Sequence, residues 1–535
     1  MNTNLKICVA YLILISWLKA GLAEGYAELL LSFLGAVILC NQLFQKFFWT
    51  RKYLLSILPM FLITIWFAVA FNNPRYRVLT TQDLIDFKME KTLLESRNPE
   101  KIKMISTGIN SVLDQAKANP PLSIALFFHL KSSYVDKYSE KKDDPIMLLL
   151  NSYRNHIKLE HIGFLPSITT QSTHYFKDLF FIIVSITLGI NIFYNAKSYS
   201  TIRKIVWIII VNTFLLSLVG IYQRYNQIWS DDFVEILGIW NAPEPRYYFS
   251  TFTYKNHWSA FVIISLTCAL SIIYYNTKRN TISLIKSPIK IFLLLIILTF
   301  STTIIYSGSR SGLFLIILTL LSIALIILKK KSFKISYNLR KWFLYLIIIL
   351  PILFIIFYSF VKDQKVKEMV TNSSAQWNAL IDGKPPLRFL LWQDAIKMIR
   401  QKNILGYGFY AFPSIYPKYQ SSYVRSERSI GLDNAHNPYV PLVAHAHNDI
   451  LEFLCEWGLL GVFLFFIPYL FYLIQTFCFS KSTSVQILLT GCLIFLVYCL
   501  VDFPTRTPAC FSLFCIVAGL ACKYSVIRET TSPRI

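Results

Sequence analysis

The feature that most constrains this chain is a series of apolar runs, each about as long as a lipid bilayer is thick. The hydrocarbon core of a bilayer spans about 30 Å, so a crossing helix needs about 20 apolar residues. Such windows recur at about 6–23, 27–45, 53–71, 179–195, 204–222, 257–275, 289–306, 312–329, 342–360, 453–477, 484–501 and 507–524. Hydrophobic residues make up 55% of the chain and charged residues only 15%, which is outside the usual range of soluble domains. We therefore predict an all-α polytopic membrane protein with about 12 transmembrane helices.

Lysine and arginine mark one side of this predicted bundle. Basic turns fall on the same side if successive helices alternate in direction. They are Lys46/Arg51/Lys52, Lys197/Arg203/Lys204, Lys278/Arg279/Lys286/Lys290 and Lys329/Lys330/Lys331/Lys334/Arg340/Lys341. Cytoplasmic loops carry an excess of these residues. We therefore predict that both termini are cytoplasmic and that the long segments 72–178, 223–256 and 361–446 lie outside.

Two of the outer segments divide the chain. The predicted parts are 1–71 (membrane helices 1–3), 72–178 (an outer helical insertion), 179–360 (membrane helices 4–9), 361–446 (a large outer loop) and 447–535 (membrane helices 10–12). The insertion is predicted to be helical because Asn98-Pro99, Asn119-Pro120 and Asp144-Pro145 each place a capping side chain before a proline that suits a first helical turn. Its histidines, His129, His156, His161 and His174, are scattered singly. We interpret them as surface or packing residues.

The net charge of +24 does not indicate nucleic-acid binding. The basic residues are dispersed between apolar runs, and no nucleic-acid motif accompanies them. Segment 361–446 carries eleven Lys or Arg against six Asp or Glu, although it is predicted to face outward. That excess suggests an anionic ligand, and a solvated basic surface without a ligand is the alternative.

Imidazole and carboxylate groups meet where this outer loop enters an apolar run, at residues 444–461. If a helix begins near His447, then Asp449, Glu452 and Glu456 share one face of it. Glu456 would then lie within the hydrocarbon, where an ionisable group needs a cavity or a cationic partner. In the first turn, His447 would feel the positive end of the helix dipole, which favours a neutral ring able to accept a proton. Simple helix capping by His447 is the alternative.

Isolated cations occur at the outer ends of other predicted helices. Arg310 lies in the short turn Tyr306-Ser307-Gly308-Ser309-Arg310-Ser311-Gly312, where hydroxyls and amides suit phosphate oxygens. Arg246 and the pair Lys255-Asn256 lie in segment 223–256 among aromatic residues. Snorkelling cations and an interfacial aromatic belt are the alternatives. In the third outer segment, Arg388 opens a predicted helix, and the later Leu405-Gly406-Tyr407-Gly408 lacks the strand context of a nucleotide loop.

In this order, these motifs resemble the O-antigen ligase and polymerase superfamily, which includes bacterial protein O-oligosaccharyltransferases. The resemblance rests on Ser309-Arg310-Ser311-Gly312, on Arg388 to Trp392 with Leu405-Gly406-Tyr407-Gly408, and on His447-Asn448-Asp449 with Leu451-Glu452, Glu456 and Gly458. It implies a glycosyltransferase of the bacterial inner membrane that takes a glycan from an undecaprenyl diphosphate carrier on the periplasmic side. The insertion 72–178 lies outside the pattern.

The residues fit such a reaction without a cofactor. Arg310, Arg246 and Arg388 are expected to hold the diphosphate and stabilise the leaving group, with Lys255, Asn256, Asp449 and Glu456 as further substrate-binding residues. His447 is expected to deprotonate an acceptor hydroxyl, so that a single displacement inverts the anomer. We expect no metal, since arginines supply positive charge. Ligation by His447, Asp449 and Glu452 is the alternative.

The sequence leaves the acceptor open among lipid A core, a growing glycan and protein, so ligase-like, polymerase and protein-transferase activities all remain, with the ligase-like activity expected. Outside this class, a transporter or flippase would also use many helices, but the internal repeat expected of one is not visible. A membrane scaffold would leave Arg310 and Glu456 unexplained.

Overall fold

The apolar runs form helices in the computed structural model, which describes residues 1–45, 49–77, 128, 158–171, 174–229, 235–242, 247–279, 287–329, 381, 385–429 and 443–531. Within these ranges, nine helices of at least 18 residues are apolar enough to cross a membrane. Thr3–Trp17 and Thr483–Tyr498 are shorter apolar helices. The predicted class, an all-α polytopic membrane protein, is confirmed.

The helices follow the predicted windows closely. In chain order they are α1 (Thr3–Trp17), α2 (Tyr26–Leu43), α3 (Arg51–Phe71), α4 (His174–Asn195), α5 (Tyr199–Trp229), α6 (Lys255–Arg279), α7 (Pro288–Tyr306), α8 (Arg310–Lys329), α9 (Leu387–Gln401), α10 (Phe412–Ile415), α11 (Ser422–Ser429), α12 (Asp449–Phe479), α13 (Thr483–Tyr498) and α14 (Pro508–Thr531). Two short strands, β1 (Glu235–Ile236) and β2 (Trp240–Asn241), pair antiparallel between α5 and α6. Window 342–360 and the three Asn-Pro or Asp-Pro steps lie outside the described residues.

The chain divides into two compact units, each assembled from separate stretches. The first unit comprises Met1–Ser56, Phe180–Asn378 and Tyr469–Ile535, and the second comprises Ile57–Leu179 and Ala379–Pro468. The five-part linear division predicted from sequence stays a prediction, because it describes position relative to a membrane.

The first unit is built around α6. Inside the protein, 89% of its apolar window is buried, and it packs against α5, α7, α8, α13 and α14. Small residues bring these helices close together: a side chain on Gly491 of α13 would place its Cβ 2.2 Å from Thr267 Oγ1 of α6. A hydroxyl pair, Thr213 and Ser265, links α5 to α6 at 2.8 Å. Close packing and interhelical hydrogen bonds of this kind hold helices together in a lipid environment.

The second unit contains the first part of α12, up to Pro468, and the helix is interrupted there at Gly458 (φ 65°, ψ −177°). Beyond Glu456 the regular hydrogen-bond ladder stops, so carbonyls before the break need new donors. The loop after α9 supplies them: Tyr407 N–H donates to Cys455 O and Gly408 N–H donates to Glu456 O, both at 2.8 Å. The Leu405-Gly406-Tyr407-Gly408 motif is thus a backbone partner of the break in α12.

Candidate functional site

In the first unit, Arg310 directly follows Ser309, which caps α8. Ser309 Oγ accepts a hydrogen bond from Gly312 N–H at 3.1 Å, which is the capping bond expected of serine before a helix. Arg310 is therefore the first residue of α8, and its side chain is exposed. The Lys255 Nζ lies 3.5 Å from the position a Cβ on Gly308 would take. Two cations and a helix N-terminus thus meet at one turn, an arrangement that favours anions.

The Asn256 side chain binds Ser309, the residue that caps α8. Its Oδ1 accepts from Ser309 Oγ at 2.8 Å, while its Nδ2 donates to Asp502 Oδ2 at 2.8 Å and to Tyr254 OH at 3.0 Å. Both amide donors are therefore engaged within the protein. We interpret Asn256 as a residue that positions the Ser309 cap; substrate binding by Asn256 stays a prediction.

Asp502 is the buried acid of this network, with a relative exposure of 0%. Besides Asn256, Tyr498 OH donates to Asp502 Oδ2 at 2.9 Å. The Tyr498 hydroxyl lies 3.2 Å from Ser311 Oγ, so the network returns to the start of α8. Asp502 was not among the residues predicted from the sequence, although an acidic residue at the end of apolar window 484–501 is a signal of function or pairing.

In the second unit, the loop before α12 carries His447. The helix begins at Asp449, and Asn448 caps it, since its Oδ1 accepts from Leu451 N–H at 3.0 Å. The expectation that His447 lies in the first turn is therefore wrong by two residues: asparagine is the better cap, and His447 precedes it in a left-handed conformation (φ 50°). The effect of the helix dipole on His447 stays a prediction.

Two side chains fix the backbone around His447. Glu452, with a relative exposure of 0%, accepts from Ala446 N–H at 2.9 Å and pairs with His445 Nδ1 at 3.0 Å. Trp392 Nε1 donates to the carbonyls of Ala446 at 3.1 Å and of His447 at 3.3 Å. Glu452 and Trp392 therefore both bind the backbone of this loop. A fixed backbone is what His447 would need in order to keep its ring in one orientation.

Arg388 is the second residue of α9 and lies one turn before Trp392, so the two share a face of that helix. Its side chain is half-buried. The motif from Arg388 to Trp392 therefore supplies one cation and one indole donor from the same face, and the indole reaches the His447 loop.

Glu456 is fully buried, and one of its contacts is with the start of a helix. Its Oε1 accepts from Phe412 N–H, the first residue of α10, at 3.4 Å. Asp449, one residue past the cap of α12, is buried to 1% exposure. Both predicted substrate-binding acids are thus internal to the second unit, and their contact with substrate stays a prediction.

Residues 291–466 match the family model described as O-antigen ligase. The resemblance to the O-antigen ligase superfamily is confirmed. A comparison with curated proteins finds no match. The matched O-antigen ligase segment contains Arg310, Arg388, His447 and Glu456, and it supports a glycosyltransferase-like enzyme in a multi-pass bacterial membrane protein.

The predicted site residues are divided between the two units of the chain. Arg310, Lys255 and Asn256 meet in the first unit, whereas Arg388, His447, Asp449 and Glu456 lie in the second. Arg246 lies outside the described residues. Across the described ranges, no group of three His, Cys, Asp or Glu side chains is placed to hold a metal ion; metal independence stays a prediction.

Proposed function

We propose that this protein transfers a glycan from an undecaprenyl diphosphate carrier to an acceptor hydroxyl, on the periplasmic side of a bacterial inner membrane. The observation that carries the proposal is that a single match to the O-antigen ligase family model, over residues 291–466, includes both Arg310 and His447. Each has a structure suited to one half of such a transfer.

Donor binding is assigned to the cations. Arg310 stands at the N-terminus of α8 beside the Lys255 ammonium, and a diphosphate is a strong acceptor for a guanidinium fork. Arg246 and Arg388 are proposed as further diphosphate ligands from their sequence motifs. As the bond between the sugar and phosphate breaks, the electron pair leaves with the carrier diphosphate, and these cations stabilise the charge that develops.

Proton transfer is assigned to His447. Its ring would take the proton of the acceptor hydroxyl while that oxygen forms a bond to the anomeric carbon, so the sugar inverts in one displacement. Trp392 and Glu452 position its loop by hydrogen bonds to the backbone. No metal or organic cofactor takes part in this scheme.

The acceptor is proposed to be of the O-antigen ligase type, a lipid A core, with polymerisation of a growing glycan and transfer to protein as competing activities. Purified protein offered a lipid-linked donor with each acceptor separately distinguishes them. Transfer to the lipid A core alone would support the ligase-like activity, and transfer to none of the three would contradict the proposed function.

Arg310 and His447 are predicted to give separable defects. Arg310→Lys keeps the charge but loses two-point contact with phosphate, so donor binding should fall markedly. His447→Ala should slow transfer by about 10²- to 10⁴-fold while donor binding persists, because that is the usual contribution of a general base. Donor binding and single-turnover transfer are measured side by side. The exposed pair Arg400→Lys and Gln401→Ala, at the end of α9, serve as matched controls.

A wild-type donor affinity in Arg310→Lys, or full transfer in a normally inserted His447→Ala, would contradict the role given to that residue. Loss of both properties in both variants would indicate a structural defect, which the control variants would not share.

Membrane orientation is tested independently. The basic turns predict that cysteines introduced near positions 120 and 420 react with an impermeant reagent from the periplasm, while one near position 335 reacts only after the membrane is permeabilised. Periplasmic labelling near 335 would overturn the orientation and, with it, the proposed periplasmic reaction.

A further inference from the structure

Residues that flank the insertion are joined by backbone pairing in the second unit. Arg75 N–H donates to Ile168 O at 2.9 Å, and its own carbonyl accepts from Leu159 N–H at 2.8 Å. Tyr76 forms an antiparallel bridge with Lys158. The segment after α3 therefore lies between two parts of the segment 158–171, and Arg75 is held at a fixed position there.

The Arg75 side chain is buried to 7% exposure among neutral groups. Its Nε donates to Ser167 Oγ at 2.8 Å, its Nη2 donates to Gly406 O at 3.2 Å, and its guanidinium lies 5.0 Å from the centre of the Tyr407 ring. Within the described ranges, no carboxylate pairs with it and Nη1 has no protein acceptor. A buried charge with only neutral partners is costly, and burial lowers the pKa of Arg75.

Two more basic residues belong to the backbone segments that bind Arg75, the loop after α9 and the segment 158–171. Lys402 follows α9, and its carbonyl accepts from Gly406 N–H, the residue whose own carbonyl binds Arg75. Burial, followed by the charge of Arg75, lowers the pKa of Lys402 to about 8. His161 lies in the paired segment 158–171, and burial, then Arg75 and Lys402, lower its pKa.

Arg75, Lys402 and His161 therefore form a cluster of basic groups that belongs to none of the motifs used above. The exposed Lys158 adds to the positive potential at His161. Nearby, burial raises the pKa of the Tyr407 hydroxyl, so this phenol supplies no negative charge at neutral pH. Among the described residues, no acid pairs with any member of the cluster. Mutual repulsion of this kind is relieved when an anion binds.

We propose that Arg75, Lys402 and His161 bind a phosphate group of a ligand, at a second anion site separate from Arg310. The Nη1 of Arg75, the Lys402 ammonium and an N–H of His161 are donors that suit a tetrahedral oxyanion. The phosphate belongs either to a phosphorylated glycan or to an anionic lipid headgroup. This inference does not rest on the proposed glycosyl transfer, because it concerns binding alone.

The test measures binding of inorganic pyrophosphate to the full-length protein in phosphatidylcholine nanodiscs at constant ionic strength. Arg310→Gln is the background, so that the proposed donor site contributes little. Lys402→Gln should weaken binding about tenfold at pH 7, the factor that a charge-assisted hydrogen bond usually supplies, while Lys402→Arg should bind like its parent. Arg400→Gln, a change at an exposed arginine of α9, is the matched control.

The pH dependence gives a second readout that a structural role for Lys402 would not produce. At pH 9 an ammonium with a pKa of about 8 is mostly neutral, whereas arginine stays charged. Lys402→Arg should then bind up to about tenfold more tightly than its parent. Comparing the two at one pH cancels the ionisation of pyrophosphate itself.

Unchanged pyrophosphate affinity in both Lys402→Gln and His161→Gln would overturn the proposal, as would equal affinities of the parent and Lys402→Arg at pH 9. Replacing phosphatidylcholine with phosphatidylglycerol distinguishes the two sources. Weaker pyrophosphate binding in phosphatidylglycerol supports a lipid headgroup in the site, and unchanged binding supports a phosphorylated glycan.

Discussion

The two units of this protein hold their buried charges in different ways. In the first unit, Asp502 is bound by the side chains of Asn256 and Tyr498, which extend from neighbouring helices. In the second unit, backbone groups share this role with side chains: Glu456 accepts from Phe412 N–H, and Arg75 donates to Gly406 O as well as to Ser167 Oγ. A charge held by side chains depends on which residues occupy helix faces. A charge held by backbone depends on loop geometry, and therefore on glycine.

Gly458→Ala should have the largest effect if backbone geometry governs the second unit. Gly458 has a φ of 65°, and an added Cβ would lie 2.2 Å from Ile404 O, a backbone atom of the loop after α9. The change should separate the loop after α9 from α12 and lower the free energy of unfolding by at least about 3 kcal/mol. Thermal unfolding of detergent-purified protein measures it.

Gly163→Ala is the control for this change, because it lies in the same unit and an added Cβ would meet nothing within 4 Å. Equal stability of Gly458→Ala and Gly163→Ala would show that the break in α12 does not depend on glycine, and the contrast between the units would fail.

The same contrast explains what the sequence could and could not predict. The apolar windows locate the helices because burial in lipid demands a long continuous run, which one sequence shows directly. The motifs containing Arg310 and His447 were recognisable as a family pattern, and the family match confirms that resemblance.

Pairings between distant residues are what a single sequence does not show. Asn256 and Asp502 are 246 residues apart, and Trp392 and Ala446 are 54 apart. Nothing in local periodicity connects them. The helix α12 was predicted to begin near His447, and it begins at Asp449 because Asn448 is the residue that caps it. The glycines at 406 and 458 were visible, but only their backbone contact explains why both are needed.

Exchanging Asn256 and Asp502 tests whether side chains hold the buried charge of the first unit. Asn256→Asp alone places a second carboxylate against Asp502 and should lower the free energy of unfolding by about 2 kcal/mol. The double change Asn256→Asp and Asp502→Asn reverses donor and acceptor, and Ser309, Tyr254 and Tyr498 hydroxyls can serve either group. It should recover most of the loss.

Stability is measured by thermal unfolding of all three variants, with Asn72→Asp at the exposed end of α3 as the control. If the double variant is as unstable as the sum of the single changes, the network does not act as a coupled pair. In that case, Asp502 must be held chiefly by groups other than Asn256.

Trp392 is a side chain that binds backbone carbonyls, so it uses both kinds of contact found in the two units. Among these variants, removal of its indole N–H should have the smallest effect on stability. Trp392→Phe keeps an aromatic ring but loses the indole N–H that reaches Ala446 O and His447 O. A neutral hydrogen bond contributes about 1 kcal/mol, so stability should change little. Transfer, however, depends on the orientation of His447, and its rate should fall about fivefold to tenfold while donor binding is unchanged. Trp66→Phe, the same change on α3, should leave both properties unaltered. Wild-type transfer by Trp392→Phe would show that Glu452 alone positions the loop, and weakened donor binding would assign Trp392 to the donor rather than to His447.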